Sequence, residues 1–404
     1  MDSIIPFVIE ILGGALRGKS SRIALRSAVE TNKLNREEES ALYYLVFEIL
    51  RRLNVIDLYI KTSTSSYSLK KISSDNRAIL RIATYLMKIE NKDIEFVNNL
   101  LSSHFEQFSE SNFLTILDLI QSVSEEQLYE NRNDLASNLS IEYFTPTWIV
   151  RKFLSQWGVE TTKKILPSFQ QNLHLYVRIN TIKANLEEIL RIFHLNDISY
   201  SIVEEIENLV RIEENEIPIP QLEAFKEGKI VIQQKASALV SLVLDPQEDD
   251  EILDMCASPG GKTSHIAALL KNKGKIVAVD MNDERVKILK DRMNLLGIKL
   301  VRIIQTDARE LHRKIETRFD KILLDPPCSG SGTYSSRPEN KWRMNQRDLG
   351  WYVNLQKDLL NEAAVLLKTG GSIVYSTCSL FHEENHSVIL DFLQENSNFK
   401  LVET

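Results

Sequence analysis

Cysteine is scarce, glycine is unevenly spread, and long apolar runs are missing. Three cysteines in 404 residues exclude a disulfide scaffold. No stretch approaches the ~18 consecutive apolar residues of a membrane-spanning helix. The apolar start MDSIIPFVIEILGGALRGK is broken by Glu10 and lacks the basic beginning and small-residue cleavage site of a signal peptide, so a cytoplasmic protein is expected. Positive charge is not in excess either. A net charge of -7 argues against a protein that coats nucleic acid through bulk charge. The seven histidines form no metal-ligand spacing with the cysteines. His382 and His386 stand one helical turn apart without a third ligand and read as a helix surface, so no metal is expected.

What is present is ordinary globular composition, 43% hydrophobic and 26% charged, in a length that predicts two to four domains. Glycine marks the divisions. None occurs between Gly18 and Gly158, and nine of the 14 lie at or beyond residue 260. The glycine-poor start carries apolar residues at the helical period (Leu42, Leu45, Val46, Ile49, Leu50, Leu53; Ile79, Leu80, Ile82, Ala83, Leu86, Met87), separated by polar turns TSTSS, ISSDN and ENKD. Residues 1–135 are therefore expected to be all-helical. Residues 140–245 mix a helix start at FTPTWIVRKFLSQWG and an amphipathic NLEEILRIFHL with strand-like LHLYVRIN, ISYSIVEEI, LVRIEE and GKIVIQQ, and predict a small α+β unit. From 246 to 404, five β-rich runs (EILDMC, KIVAVD, LVRIIQTD, KILLDPP, GSIVYSTC) alternate with helical stretches, which implies a parallel sheet with helices on both faces. Ligands bind such sheets at the carboxyl ends of the strands, where Asp254, Asp280, Asp307 and Asp325 fall.

The turns at those ends carry the chemistry. DMCASPGGKTS follows the first strand and opens a helix, yet matches neither G-x-G-x-x-G nor the P-loop; a lone GG is as well explained by a tight turn. Asp280 ends the second strand, where an acid can accept both hydroxyls of a ribose, and Asp307 ends the third, where an adenine amino group can be received. Either acid alone is equally an N-cap; both after a Gly-rich turn point to an adenosine-containing ligand. Cys328 in LLDPPCSGSGT and Cys378 in VYSTCSLFHEEN end the fourth and fifth strands. A single such cysteine reads as a small buried hydrophobe. Two of them, with Asp325 three residues before the first, fit thiolate attack on C6 of a pyrimidine, with the acid at N3 and a second group aiding release.

DMCASPGGKT, AVDMN, QTDA, LLDPPCSGSGT and YSTCSL together resemble the RNA cytosine-5 methyltransferases of the RsmB/NSUN type, densely from Glu251 to about Asn396 and more loosely through YVRINTIK and FKEGKIVIQQKAS. The resemblance implies a Rossmann-like methyltransferase domain that uses S-adenosyl-L-methionine. It implies Cys378 as the nucleophile, Cys328 as the aid to release, and Asp325 at N3 and the 4-amino group. Cys256, Ala257, Ser258, Pro259, Gly260, Gly261 and Lys262 would wrap the methionine portion, Asp280 the ribose, and Asp307 the adenine. Arg285 would be a further contact on the cofactor side. Lys262 would reach the site and lower a thiol pKa. ALYYLVFEILRRLNVIDLYI with NRAILRIATYLMKI resembles the NusB-like domain that precedes some bacterial small-subunit rRNA methyltransferases.

The implied partner is RNA, small-subunit rRNA before tRNA, read by a monomer that takes in a flipped cytosine. Two basic runs, Arg17–Lys19–Arg22–Arg26 and Arg337–Lys341–Arg343–Arg347, read alone as solvated faces; the second, which contains Trp342, is expected to touch RNA backbone or stack a base. The family usually continues into a further β-hairpin, whereas this chain stops at NFKLVET, so missing C-terminal strands are expected. Two rival readings are a catalytically silent RNA-binding or assembly protein and an amino-methylating enzyme, although the latter commonly carries an aromatic where Cys328 stands.

Overall fold

A computed structural model describes residues 2–63, 72–105, 110–130 and 132–403. The chain divides into two compact units. One unit comprises Met1–Asn172 together with Gly330–Asp348, and the other comprises Leu173–Ser329 with Leu349–Thr404. Residues 173–245 of the α+β segment thus share a unit with the parallel sheet, while residues 140–172 and a piece of the connection between the fourth and fifth parallel strands belong with the helices.

The first unit is helical. Helices Ile5–Leu16, Arg36–Arg51 and Ser74–Lys88 contribute the expected apolar stripes, with Leu42, Val46, Ile49, Leu50, Ile79 and Ile82 fully buried in one core. Side chains close the helix starts, as orphan amide N–H groups require. Asn35 and Glu38 form a reciprocal capping box, and Asp93 accepts the Phe96 N–H. The expected turn ISSDN is instead a helix entry, with Ser73 accepting the Asn76 N–H. Of the turn expected at 62–66, residues 64–66 lie outside the described residues. The helix Thr147–Ser168 is interrupted at Gly158, whose φ of +71° no β-carbon residue adopts cheaply.

The segment 330–348 corrects an expectation. Three of its side chains, Lys341, Trp342 and Arg343, close helix ends instead of standing free for RNA. Lys341, fully buried, donates to Arg51 O at 3.1 Å and Phe144 O at 2.8 Å. Trp342 Nε1 donates to Leu50 O at 2.6 Å, and Arg343 Nε to Ala15 O at 2.6 Å. The Ala15, Leu50 and Arg51 carbonyls belong to the last turns of Ile5–Leu16 and Arg36–Arg51, and Phe144 lies two residues beyond the helix Leu135–Glu142; cations are favoured at such ends. The acid of the segment does the converse. Glu339 accepts from Ser21 N at 3.3 Å and Ser21 Oγ at 2.7 Å, at the start of the helix Ser21–Asn32. Arg22 Nε also donates to Ser336 O, so the two basic runs meet across the same acid. Arg337 and Arg347 remain exposed.

The second unit holds two sheets. Strands β1 (Leu175–Ile179), β2 (Ser199–Ile202), β3 (Leu209–Glu214) and β4 (Ile230–Ile232) form an antiparallel sheet ordered β2-β3-β1-β4. Strands β5 (Glu251–Asp254), β6 (Lys275–Asp280), β7 (Val301–Gln305), β8 (Phe319–Leu324) and β9 (Leu367–Tyr375) form a parallel sheet ordered β7-β6-β5-β8-β9. The order reverses at β5, the switch point at which such sheets open a ligand crevice. Helices Gly261–Leu269, Asp283–Leu295 and Gln346–Leu366 fall where the sequence predicts them. His382 and His386 do not share a helix. His382 lies in the 3-10 turn His382–Glu384, and His386 starts a separate helix to Glu395. Among the described residues no helix is long and apolar enough to cross a membrane.

Buried polar groups lock the sheets together. Asn180 at the end of β1 donates to Gly228 O and Leu296 O. Gly228 has φ +72°, and a β-carbon there would meet Leu295 O at 2.4 Å, so glycine is obligatory at this approach. Arg178, 1% exposed, reaches Gln233 Oε1 at 2.6 Å and Ser264 Oγ at 2.9 Å. Burial, with Arg292 nearby, depresses its pKa to about 9.

Candidate active site

All strand-end residues named from the sequence gather at the carboxyl edge of the parallel sheet. The β5 turn, Cys256 to Gly260, enters the helix Gly261–Leu269 through Gly260, whose φ is +92°. A β-carbon there would meet Leu289 Cδ1 at 2.7 Å and Met293 Cε at 2.8 Å, so close helix packing and backbone conformation both demand glycine. Inside this turn lies a cavity of about 240 Å³, lined by Asp254, Cys256–Pro259, Gly261, Lys262 and Asp325 from the parallel sheet. Gln233, Gln234 and Ser237, from β4 and the helix after it, complete the wall with Arg292. Sequence reasoning named none of these last four. The run IQQKAS was the available signal, but nothing local to it shows that it faces the β5 turn.

The four acids have distinct environments. Asp254 is buried and accepts from Thr263 Oγ1 at 2.7 Å; burial pushes its carboxyl up to about 7 against that hydrogen bond. Asp280, 5% exposed, accepts backbone N–H groups of Ser258 and Asn282 and lies 3.2 Å from Arg285 Nη2. Arg285 also donates to Ser258 O at 2.7 Å, so it ties the β5 turn to the end of β6. Asp307 caps the short helix Ala308–Arg313, and hydrogen bonds from Arg309 hold its carboxyl below the usual carboxylate range. Asp325 accepts from Lys262 Nζ at 2.6 Å and from Ser376 Oγ at 2.9 Å. The Lys262 ammonium is thus paired with a carboxylate, whereas the sequence suggested action on a thiol. Ser376, on the other side of that carboxylate, was not anticipated.

The cysteines divide. Cys256 is held where burial, reinforced by Asp254, Asp280 and Asp325, pushes its thiol far up, which suits a packing role and not a nucleophile. Cys328 and Cys378 end the adjacent strands β8 and β9, and their Sγ atoms stand 3.2 Å apart, Cys378 being exposed. Around them Ser329, Ser379, Gln356 and a buried Glu384 form a hydrogen-bonded cluster.

Residues 241–404 match the family described as 16S rRNA methyltransferase RsmB/F, residues 145–219 its ferredoxin-like domain, and residues 9–100 the NusB family. A Bacillus subtilis protein named probable ribosomal RNA small subunit methyltransferase B is 29% identical over 390 residues, covering 94% of this chain and 85% of that one. The ribosomal RNA small subunit methyltransferase B of Escherichia coli K12 is 32% identical over 263 residues, covering 65% of this chain and 60% of its own length. Among solved structures, that of PH0851 is 31% identical with a TM-score of 0.85, covering 99% of this chain and 91% of that one. NSun6 from Pyrococcus horikoshii, solved with the S-adenosylmethionine analogue SFG, shares the fold at a TM-score of 0.59 and 24% identity, over 63% of this chain and 88% of that one. The three domain matches occur in one order along the chain, and the likeness to PH0851 runs over nearly all of it: the chain belongs to the RsmB/F methyltransferase family.

Proposed function

We propose that the chain methylates C5 of a cytosine in RNA, small-subunit rRNA first, through a covalent bond between Cys378 and C6. The observation that carries this reading is the pair of thiols, 3.2 Å apart at the ends of neighbouring strands, beside the Lys262–Asp325 pair. The β5 turn suits S-adenosylmethionine. Its cavity has the size of an amino-acid moiety, Gln233 Nε2 is buried there without a hydrogen-bond partner, and the acids of β6 and β7 continue the edge where a nucleoside would lie. Cys256, Ala257, Ser258, Pro259, Gly260, Gly261 and Lys262 would hold the methionine end, Asp280 and Arg285 the ribose side, and Asp307 the adenine. When bound, S-adenosylmethionine supplies an electrophilic methyl group.

The chain's own residues then have separable tasks. The Cys378 thiolate adds to C6, and the electron pair displaced toward N3 takes up a proton. Asp325, paired with Lys262 at 2.6 Å, accepts from the 4-amino group, and the Lys262 ammonium supplies the N3 proton through that carboxylate. Addition makes C5 nucleophilic towards the methyl group. Cys328, as thiolate, takes up the C5 proton, Cys378 leaves as thiolate, and the N3 proton returns to the Lys262–Asp325 pair, which restores the aromatic ring. RNA bearing 5-fluorocytidine tests the scheme, because fluorine cannot leave C5 as the proton does. A denaturant-resistant protein–RNA complex that requires Cys378 is expected; rRNA that gains no 5-methylcytosine and forms no such complex would end the reading.

A further inference from the structure

Glu384 is fully buried, and its partners are an amide N–H, a hydroxyl and a side-chain amide, none of them charged. Burying a carboxylate among neutral donors is costly, so the arrangement has to return something. What it touches is informative. Oε1 accepts from Ser329 N at 2.8 Å, the residue after Cys328, and from Gln356 Nε2 at 3.0 Å. Gln356 Nε2 also reaches Pro327 O at 3.0 Å, the residue before Cys328. Oε2 accepts from Ser379 Oγ, the residue after Cys378. The Ser329 and Ser379 hydroxyls meet at 3.1 Å. The next residue completes the frame: Asn385 accepts from Thr377 Oγ1 at 2.6 Å and donates to Ser379 O at 2.9 Å, on either side of Cys378. Tyr375 OH at the end of β9 donates to Glu384 O at 2.7 Å.

We infer that Glu384 is a positioning residue that sets the separation of the Cys328 and Cys378 thiols, and thereby the release step of the methyl-transfer cycle. The inference deepens the function proposed above and rests on it for the release step alone; the thiol spacing stands apart from it. Strand pairing fixes β8 against β9 only as far as Leu324 and Tyr375. Beyond that point Ser376 still bonds Leu324 O and Asp325, but next to the two thiols the turns are joined through the Glu384 carboxylate and the Ser329–Ser379 contact that it holds. Without it, the parts of the two turns beyond Asp325 and Ser376 lose their shared anchor, and the second thiol no longer stands where the adduct must collapse.

The thiol spacing is tested with phenylarsine oxide, which condenses with two adjacent thiols, forming two As–S bonds with loss of one water. The wild-type chain is expected to take up one equivalent, bridging Cys328 and Cys378 on peptide mapping. Glu384→Gln is expected to bind it at least tenfold more weakly, with unchanged alkylation of Cys378 by iodoacetamide. With RNA and S-adenosylmethionine, the same variant should lower kcat about tenfold at unchanged KM for RNA and accumulate denaturant-resistant complex. If Glu384→Gln does not fold, Ser379→Ala removes one tie and should show the same changes at smaller size. Wild-type arsenical affinity in a folded variant overturns the inference. Weakened arsenical binding without any RNA complex from any form, wild type with 5-fluorocytidine RNA included, leaves the clamp standing and overturns the proposed function instead.

Discussion

Both units bury charge, and they use it differently. In the helical unit, Lys341, Trp342 and Arg343 donate to backbone carbonyls near helix ends, and Glu339 accepts at a helix start. The partners are fixed dipoles of the fold, and these three donors are occupied by it. In the sheet unit, Lys262, Asp325, Asp280 and Arg285 are charged side chains paired with one another at a strand edge beside a cavity. A charged pair that a ligand can enter is a site; a charge that completes a helix end is scaffolding. The lesson concerns basic runs. Arg337–Arg347 has the composition of an RNA contact, yet Lys341, Trp342 and Arg343 already have backbone partners, and Arg337 and Arg347 are the exposed ones.

The widest separation between the regions lies in catalysis. Cys378→Ala should abolish methyl transfer and complex formation, a loss of about 10³-fold or more, as expected when a nucleophile is removed. Cys328→Ala should keep the attack and accumulate the complex on denaturing gels. Reversed behaviour of the two variants would exchange their roles, and full activity in both would reduce the thiols to packing. Lys341→Ala should leave the chemistry of the strand edge alone but lower the stability of the helical unit by about 2–4 kcal/mol, through lost hydrogen bonds and a cavity. Denaturant unfolding reads this, and an unchanged midpoint would contradict the capping role. Asp280→Ala should weaken S-adenosylmethionine by roughly 1–3 kcal/mol in calorimetry, with little change in stability beyond the loosened β5 turn.

Lys341 also gives a pH signature. Burial, then repulsion from Arg51 and Arg52, depresses its pKa from 10.5 to about 7. The unfolded chain therefore binds the extra proton between about pH 7 and the ordinary lysine range near pH 10.4, so this group's contribution to stability rises across that window. Asp254 has the opposite slope. Its carboxyl, raised to about 7, holds a proton that the unfolded chain has released, so its contribution falls between about pH 4 and pH 7. Unfolding series at several pH values should show the alkaline gain disappear in Lys341→Met and the acidic-side slope flatten in Asp254→Asn. The smallest effect is expected for Arg347→Ala. That exposed side chain should change stability by less than about 0.5 kcal/mol. A large change in RNA affinity in this variant would restore part of the segment to substrate binding.

The chain's own residues determine the elements and the strand-edge chemistry. Parallel strands buried on both faces read as short apolar runs, so KIVAVD and KILLDPP announce themselves, and the residues that end them fall at the ligand edge by topology alone. Asp280, Asp307, Asp325, Cys328 and Cys378 were legible for that reason. Tertiary structure alone decided which groups meet. Lys341 finds its carbonyl partner Arg51 290 residues away, Arg178 reaches Ser264 across 86, and the Ser329–Glu384 contact spans 55. No local period encodes such pairings. Periodicity reports which face of an element is buried, whereas a hydrogen bond between distant turns depends on where two separate elements are carried by the packing of everything between them. A basic run therefore shows its charge in sequence, but only the folded chain shows whether that charge is already occupied.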